Sequence, residues 1–230
     1  MPIAIIPARG GSKRVPQKNI RDFHGRPLIS YSIKTALTSG LFDKVIVSTD
    51  DEEIAEISRH WGAEVPFLRP LHLADDFVGT CPVLLHAINE LEKQGCFQDV
   101  FCCVYATAPF LRPEDLQNGY ELLLKKNADT VFSVTSFAYP IYRGLQIIPD
   151  GRVVMLWPQY LRKRSQDLPE AYHDAGEFYW AVVSRFKSSQ LLFTNNSFPY
   201  ILPRHRVVDI DTEEDWTFAE YIGQALPDWG

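Results

Sequence analysis

Directly after the apolar run 3–7, the chain places Arg9, Gly10, Gly11, Ser12, Lys13, Arg14 and Lys18. Cations set on glycine are chemistry for an anion. Glycine lets backbone N–H groups approach a ligand closely, and Gly10 and Gly11 are free to take positive φ, while guanidinium and ammonium groups neutralise phosphate charge. A nucleoside triphosphate is the expected ligand, weighed against a solvated basic turn. Far along the chain, Asp209 and Asp211 stand two apart in Val207-Val208-Asp209-Ile210-Asp211-Thr212. In an extended segment both carboxylates project from one face, and hard oxygen donors at a strand end suit Mg²⁺, which takes few protein carboxylates and keeps its other positions for water and phosphate. The competing reading is that Thr212 caps a last helix whose first turn favours acids, which holds in any case for Glu213 to Asp215.

Two familiar phosphate loops do not fit the basic segment. A Walker A loop needs Gly-Lys-Ser/Thr, but Ser12 separates Gly11 from Lys13 and no hydroxyl residue follows Lys13. A dinucleotide fingerprint needs a third glycine opening a helix, where this chain has Lys13, Arg14 and Pro16.

Apolar runs alternate with helix-length amphipathic segments around these residues. Strands are predicted at 3–7, 45–48, 64–67, 100–105 and 130–134, and helices at 28–39, 52–61, 82–93 and 113–126. That alternation implies an α/β fold with a mainly parallel sheet covered on both faces. Asp50 and Asp51 are placed to cap the second helix, and Pro113, Glu114 and Asp115 occupy the first turn of the fourth. Over residues 136–175 the alternation fails. A hairpin is expected there, 145–148 against 152–156, turning at Pro149-Asp150-Gly151. Long irregular segments of this kind serve a function or an assembly contact. The sheet resumes at 177–183, and a last helix runs over 213–224.

The chain of 230 residues is 46% hydrophobic with a formal net charge of −6, which fits one domain with a substantial core. An acidic molecule with one basic cluster argues against a nucleic-acid coat and for a small anionic ligand. No apolar run reaches membrane-spanning length and no leader pattern opens the sequence, so a cytoplasmic protein is expected. Cys81, Cys96, Cys102 and Cys103 lack Cys-x-x-Cys spacing and read as reduced and structural, and the six histidines pair with none of them at zinc-ligand spacing.

The basic loop and the Asp209-Ile210-Asp211-Thr212 segment resemble the CMP-sialate synthetase family, over nearly the whole chain from Ile3 to about Ala219. The resemblance implies a three-layer nucleotide-diphospho-sugar transferase fold, Rossmann-like and similar to the GT-A type, with an inserted dimerisation and lid segment at 136–175. It implies that Ala8, Arg9, Gly10, Gly11, Ser12, Lys13, Lys18 and Asn19 wrap the triphosphate of CTP, with Asn19 near the nucleoside. Arg69 and Thr80 carry over as contacts to the base, and Asp209 and Asp211 as the Mg²⁺ pair. Arg69 pairing with Asp75 or Asp76 on the surface is the plainer alternative. The activity implied is attack of the anomeric hydroxyl of a nine-carbon α-keto acid sugar on the α-phosphorus of CTP, yielding a CMP-sugar and pyrophosphate, with Arg9, Lys18, Asp209 and Asp211 as the catalytic set. A homodimer is implied too, covering Tyr139, Ile141, Tyr142, Met155 and Trp157.

The sugar side departs from the sialate pattern. Sialate members usually carry glutamine, proline and serine where this chain has Tyr105, Ala106 and Ala108, and an asparagine-glycine pair where it has Asp174 and Ala175. The His173-Asp174-Ala175-Gly176 form, running into Phe178-Tyr179-Trp180, is similar to the pseudaminic acid cytidylyltransferases. Tyr105, Thr107, Ala108, Arg143, Arg164, Gln166, His173 and Asp174 are the expected sugar contacts, with His173 either a base or a structural hydrogen-bond partner. Legionaminic acid and N-acetylneuraminic acid are the alternative substrates. A noncatalytic nucleotide-sugar-binding regulator is the reading from another class, and the intact carboxylate pair disfavours it.

Overall fold

The computed structural model describes residues 1–226. Strands β1 (Ile3–Pro7), β2 (Asp22–Phe23), β3 (Arg26–Pro27), β4 (Lys44–Ser48), β5 (Val100–Val104), β6 (Thr130–Ser136), β7 (Leu145–Ile147), β8 (Val153–Met155), β9 (Tyr172–Val182) and β10 (Ser197–Ile201) alternate with helices. The helices are α1 (Leu28–Thr38), α2 (Glu52–His60), α3 (Thr80–Lys93), α4 (Pro113–Lys126), α5 (Val183–Ser189) and α6 (Glu213–Ala225). Six strands form the central sheet in the order β10-β6-β9-β5-β1-β4. Only β9 runs antiparallel to its neighbours.

Period-two alternation sorts each strand's side chains between two cores. Ala4, Ile6, Val45, Val47, Cys102 and Val104 face α1, α2 and α4, whereas Ile3, Ile5, Ile46, Phe101 and Cys103 face α3 and α5. The adjacent cysteines therefore point to opposite layers, as their neighbouring positions predict, and burial raises both thiols. A third cluster, built on Val15, Phe23, Leu28, Phe110, Val208, Ile210 and Trp216, lies at one end of the sheet. It packs the basic loop against the segment carrying the acidic pair.

Asp51 caps α2 by accepting from the N–H groups of Glu53 (2.8 Å) and Ile54 (3.1 Å). Asp50 does not share that role, because its carboxylate accepts the Gly10 N–H at 3.2 Å. The expected strand at 64–67 reduces to one bridge, Glu64 with Ile46. Pro66, lacking an N–H, ends the ladder there.

The segment after β6 follows its prediction in outline. Within it β7 and β8 form a hairpin, the Ile148 N–H donates to the Arg152 carbonyl at 2.9 Å, and Gly151 supplies the positive φ of +85°. Tyr142 packs against Trp157 and Tyr160, so these rings cover one another, and Tyr139, Leu145, Ile147 and Leu161 are among the exposed apolar side chains of the segment. The sheet resumes at Tyr172, five residues before the expected start. Tyr172, His173 and Asp174 are too polar to read as a core strand, and they pair with β6 where it borders a cleft. Strand β10 and helix α5 were not anticipated.

Candidate active site

The C-terminal ends of β1 and β5 open into a cavity of about 580 Å³, the place where open α/β sheets hold ligands. Arg9, Ser12, Lys13, Lys18, Asn19, Arg69 and Thr80 all line it, as does Arg14. The fold therefore gathers these residues around one cavity. The sequence account of the glycines does not hold, since neither Gly10 nor Gly11 has positive φ. Gly10 is needed for close approach: a Cβ there would lie 2.5 Å from Asp51 Oδ2. Ala8 is buried in the core beneath the loop, and Gly11 is exposed, with open space where a Cβ would stand.

Each basic group is held by protein. Arg9 donates to the Asp75 carbonyl and pairs with Asp76, both at 2.8 Å, and Lys13 meets Asp76 at 2.5 Å. Asn19 donates to the Arg9 carbonyl at 3.0 Å, fixing the loop's start. Arg69 is 5% exposed and bonds the carbonyl and hydroxyl of Ser48. It makes no pair with Asp75 or Asp76: its guanidinium is taken by Ser48, the Asp75 carboxylate accepts from the Phe77 and Val78 N–H groups, and Asp76 pairs with Arg9 and Lys13. Burial pushes Arg69 down to about 10, with Asp50 pulling it back, so it stays charged at neutral pH.

Residues 207–211 lie outside any strand, contrary to the expected strand end, yet they keep a strand's alternation. Val208 and Ile210 are buried while Asp209 and Asp211 face outward. Asp211 pairs with Arg14 (2.8 Å) and Lys18 (3.3 Å), and Lys18 also donates to the Ile210 carbonyl. Partial desolvation, and then the neighbouring Asp211 charge, raise the Asp209 carboxyl. Two like charges set side by side are the donor set that a divalent cation relieves. No cluster of three or more candidate ligands stands among the described residues. Thr212 and Asp215 form a reciprocal cap on α6, so the structural reading of the later acids holds as well.

Tyr105 is shared by the first cavity and a second of about 680 Å³, more apolar, that includes His173, Asp174 and Tyr179. The Tyr105 hydroxyl lies 2.8 Å from Thr80 Oγ1, and Tyr179 donates to Asp174 Oδ2 at 2.7 Å. Burial pushes Tyr105 up to about 12, so it remains a neutral phenol. A Cβ on Gly176 would sit 3.9 Å from the Tyr105 ring and 4.0 Å from the Asp209 carboxyl carbon. Asp209 itself lines neither cavity; Gly176 stands between it and the Tyr105 ring.

Of the other expected sugar contacts, Thr107 and His173 each line a cavity, and the rest are placed elsewhere. Thr107 lines the first cavity, and Ala108 is buried in the core under the β5 turn. Arg143 donates to the carbonyls of Leu161 and Lys163, and Arg164 pairs with Asp167 at 2.6 Å. Both guanidiniums are spent closing the 136–175 segment on itself. Gln166, on an exposed turn there, likewise lines neither cavity. His173, exposed and lining the second cavity, has Nδ1 2.8 Å from the Asp174 carbonyl and its ring packed on Phe137.

Three groups were not found from sequence. Asp76 was visible only as one of two loop acids. Arg206 and Asp115 form a buried bidentate pair beneath the acidic segment, but they stand 91 positions apart and Asp115 reads as a first-turn acid. Glu177 is 3% exposed with Oε2 unpartnered, and burial holds its carboxyl well above the ordinary range, Asp115 adding to the rise and Arg206 opposing it.

The cytidylyltransferase family matches residues 3–209. The chain belongs to that family. The match spans the basic loop, Arg69, Thr80, Tyr105 and Asp209, ending two residues before Asp211. A pseudaminic acid cytidylyltransferase of Campylobacter jejuni is 44% identical over 220 residues, 96% of this chain and 95% of that protein. A CMP-N,N'-diacetyllegionaminic acid synthase of Legionella pneumophila is 30% identical, covering 96% and 95%. Among solved structures, a CMP:2-keto-3-deoxy-manno-octonic acid synthetase complexed with CTP shares the fold at a TM-score of 0.70 and 17% identity, with 98% and 100% covered. As a cytidylyltransferase with a mainly parallel three-layer sheet, the chain meets the fold and enzyme class expected of its motifs. No helix among the described residues is long and apolar enough to cross a membrane.

Proposed function

We propose that this cytidylyltransferase joins CTP to pseudaminic acid: the anomeric oxygen bonds to the α-phosphorus, the bond to the β-phosphate oxygen breaks, and pyrophosphate leaves. The observation that carries the reading is two adjoining cavities that share Tyr105, one lined by cations and by Asp211 and one less polar. The name borne by the 44%-identical relative supports the choice of sugar.

Positioning and charge neutralisation do most of the work in such a transfer. Arg9, Lys13 and Lys18 take the triphosphate, exchanging their contacts with Asp76 and Asp211 for phosphate oxygens. Arg69 and Thr80 bound the base end, and Asn19 holds the loop's backbone in place. Asp209 and Asp211 would hold Mg²⁺, which when bound neutralises phosphate charge and makes the sugar hydroxyl more acidic. Tyr105, as a neutral donor, and Asp174, as an acceptor, face the sugar side.

The same reading makes the chain a single catalytic domain whose 136–175 segment is an assembly and lid element. Its exposed Tyr139, Leu145 and Ile147 suit burial in a homodimer, and a cytoplasmic setting fits CTP as substrate. Pyrophosphate release with CTP, Mg²⁺ and each of pseudaminic, legionaminic and N-acetylneuraminic acid tests the reading. The highest kcat/KM is expected for pseudaminic acid. A preference for another of the three overturns the choice of sugar, and release with none overturns the acceptor class.

A further inference from the structure

The acidic pair lies on a segment that no strand holds, so something else must fix its position. Val208 and Ile210 anchor it sideways in the third core cluster. At its N-terminal end stands Arg206, 8% exposed, on the short 3-10 turn Arg204–Arg206. Its guanidinium donates to both oxygens of Asp115, at 2.6 and 3.1 Å, and to the Phe110 carbonyl at 3.4 Å. Asp115 in turn accepts from the Arg112 N–H at 3.0 Å and from the Tyr200 hydroxyl at 3.2 Å. Arg206 thereby ties three pieces together: the start of α4, the turn after β5, and the segment that opens three residues before Asp209. The fork has two parallel bonds, so it fixes orientation as well as distance.

We propose that Arg206 and Asp115 are positioning residues for the Asp209–Asp211 pair, a buried clamp that sets where a divalent ion with its nucleotide is held. The proposal rests on the cytidylyltransferase reading only for the identity of that nucleotide. Partners hydrogen-bonded directly to metal ligands change metal affinity by about 10- to 100-fold without touching the ion, and this pair, acting one step further back through the 206–211 backbone, takes the low end of that range.

The test is the double variant Asp115→Leu with Arg206→Met, which removes both charges together and so leaves no buried ion unpaired. Mn²⁺ binding to the protein–CTP complex is followed by water-proton relaxation, with circular dichroism as the check on folding. We expect about 10-fold weaker Mn²⁺ binding and a lower kcat, with the KM for CTP within about twofold of the parent because the basic loop is untouched. Arg206→Lys keeps the charge and loses the fork, and should weaken Mn²⁺ in the same direction by a smaller factor. Parental Mn²⁺ affinity in either folded variant overturns the clamp, as does a parent protein that adds nothing to the affinity of free CTP for Mn²⁺. The binding readout needs no sugar. Failure of all three sugars with this weakening intact sinks the substrate reading alone, and turnover with unchanged Mn²⁺ binding sinks the clamp alone.

Discussion

Arg206 with Asp115 and Arg9 with Asp76 are the same chemical pair in two settings. Their closest contacts are 2.6 and 2.8 Å, but the first pair's side chains are 9% and 5% exposed and the second's 36% and 34%. Geometry alone would rank them as equals. Burial separates them, because removing one partner of a buried pair strands a charge and costs about 3–5 kcal/mol, while an exposed charge recovers water and salt. The buried pair is therefore suited to holding an element in place, and the exposed one to holding a place that a ligand will take. Lys18, 18% exposed, lies between these settings, whereas Asp211, 41% exposed, belongs with the exposed one.

The sharpest way to break this division is Asp211→Asn. It keeps size and removes charge from the half-exposed group. The expected result is loss of Mg²⁺-dependent turnover by about 100-fold or more, with little change in Tm. A folded variant with full activity and unaltered Mg²⁺ dependence would remove Asp211 from the site. Next in size are Arg9→Ala and Lys18→Ala, each lowering kcat/KM for CTP by about 10- to 100-fold, since a phosphate charge loses its partner in a partly dry site. Lys18→Ala should be the more damaging, being the more buried and bonded to the Ile210 carbonyl as well. Near-parental rates in both would take the loop out of nucleotide binding.

The same contrast explains what could be read from sequence. Groups that cluster along the chain, such as Arg9 to Asn19, announce themselves, and the helix 113–126 was placed to the residue because Pro113 and two acids mark its start. The alternation of apolar and helical segments gave the layers, and Val208 and Ile210 around the two acids gave the facing of that pair even though no strand forms there. Pairs made across the fold left no local trace: Arg206 meets Asp115 only after β10 returns the chain beside α4. Strand β10 itself was missed because Pro199 and two aromatic residues break its pattern, and β9 began early because its first residues face a cleft rather than a core. Arg143 and Arg164 misled for the opposite reason. Cations near a substrate motif look like ligands, and only the fold shows them bonded within their own segment.

Burial without a partner is the third setting, and Glu177 occupies it. Its folded-state carboxyl is raised above the ordinary 4.5 by desolvation, with the Asp115 charge adding to the rise. Below about pH 4.5 the native and unfolded chains are both protonated there, so the contribution to stability is full. As pH rises past that point the unfolded chain releases its proton and the native one does not, so stability falls until the raised value is reached. Glu177→Gln removes that penalty. It should raise Tm at pH 8 more than at pH 5, by about 2–4 °C for each kcal/mol gained. Thermal melts at the two pH values decide it, and an equal shift at both would mean that Glu177 is already ionised in the native state.

The smallest effect belongs to the exposed end of the comparison. Asp76 holds Arg9 and Lys13 where phosphate is expected, and its carboxyl is depressed chiefly by the hydrogen bond from Lys13. If the pair only keeps the place, Asp76→Asn frees Lys13 and leaves Arg9 only its bond to the Asp75 carbonyl, and CTP binds more tightly because it no longer competes with a carboxylate. The gain is bounded by what exposed pairs are worth, so the KM for CTP should fall by no more than about fivefold. Because the competing charge is screened, the difference should shrink as salt is raised toward 1 M, where the Debye length is about 3 Å. Steady-state KM values at low and high salt measure both parts. A KM that rises in Asp76→Asn would mean that Asp76 orients Arg9 and Lys13 for the phosphates, and the exposed pair would then share the positioning role assigned to the buried one.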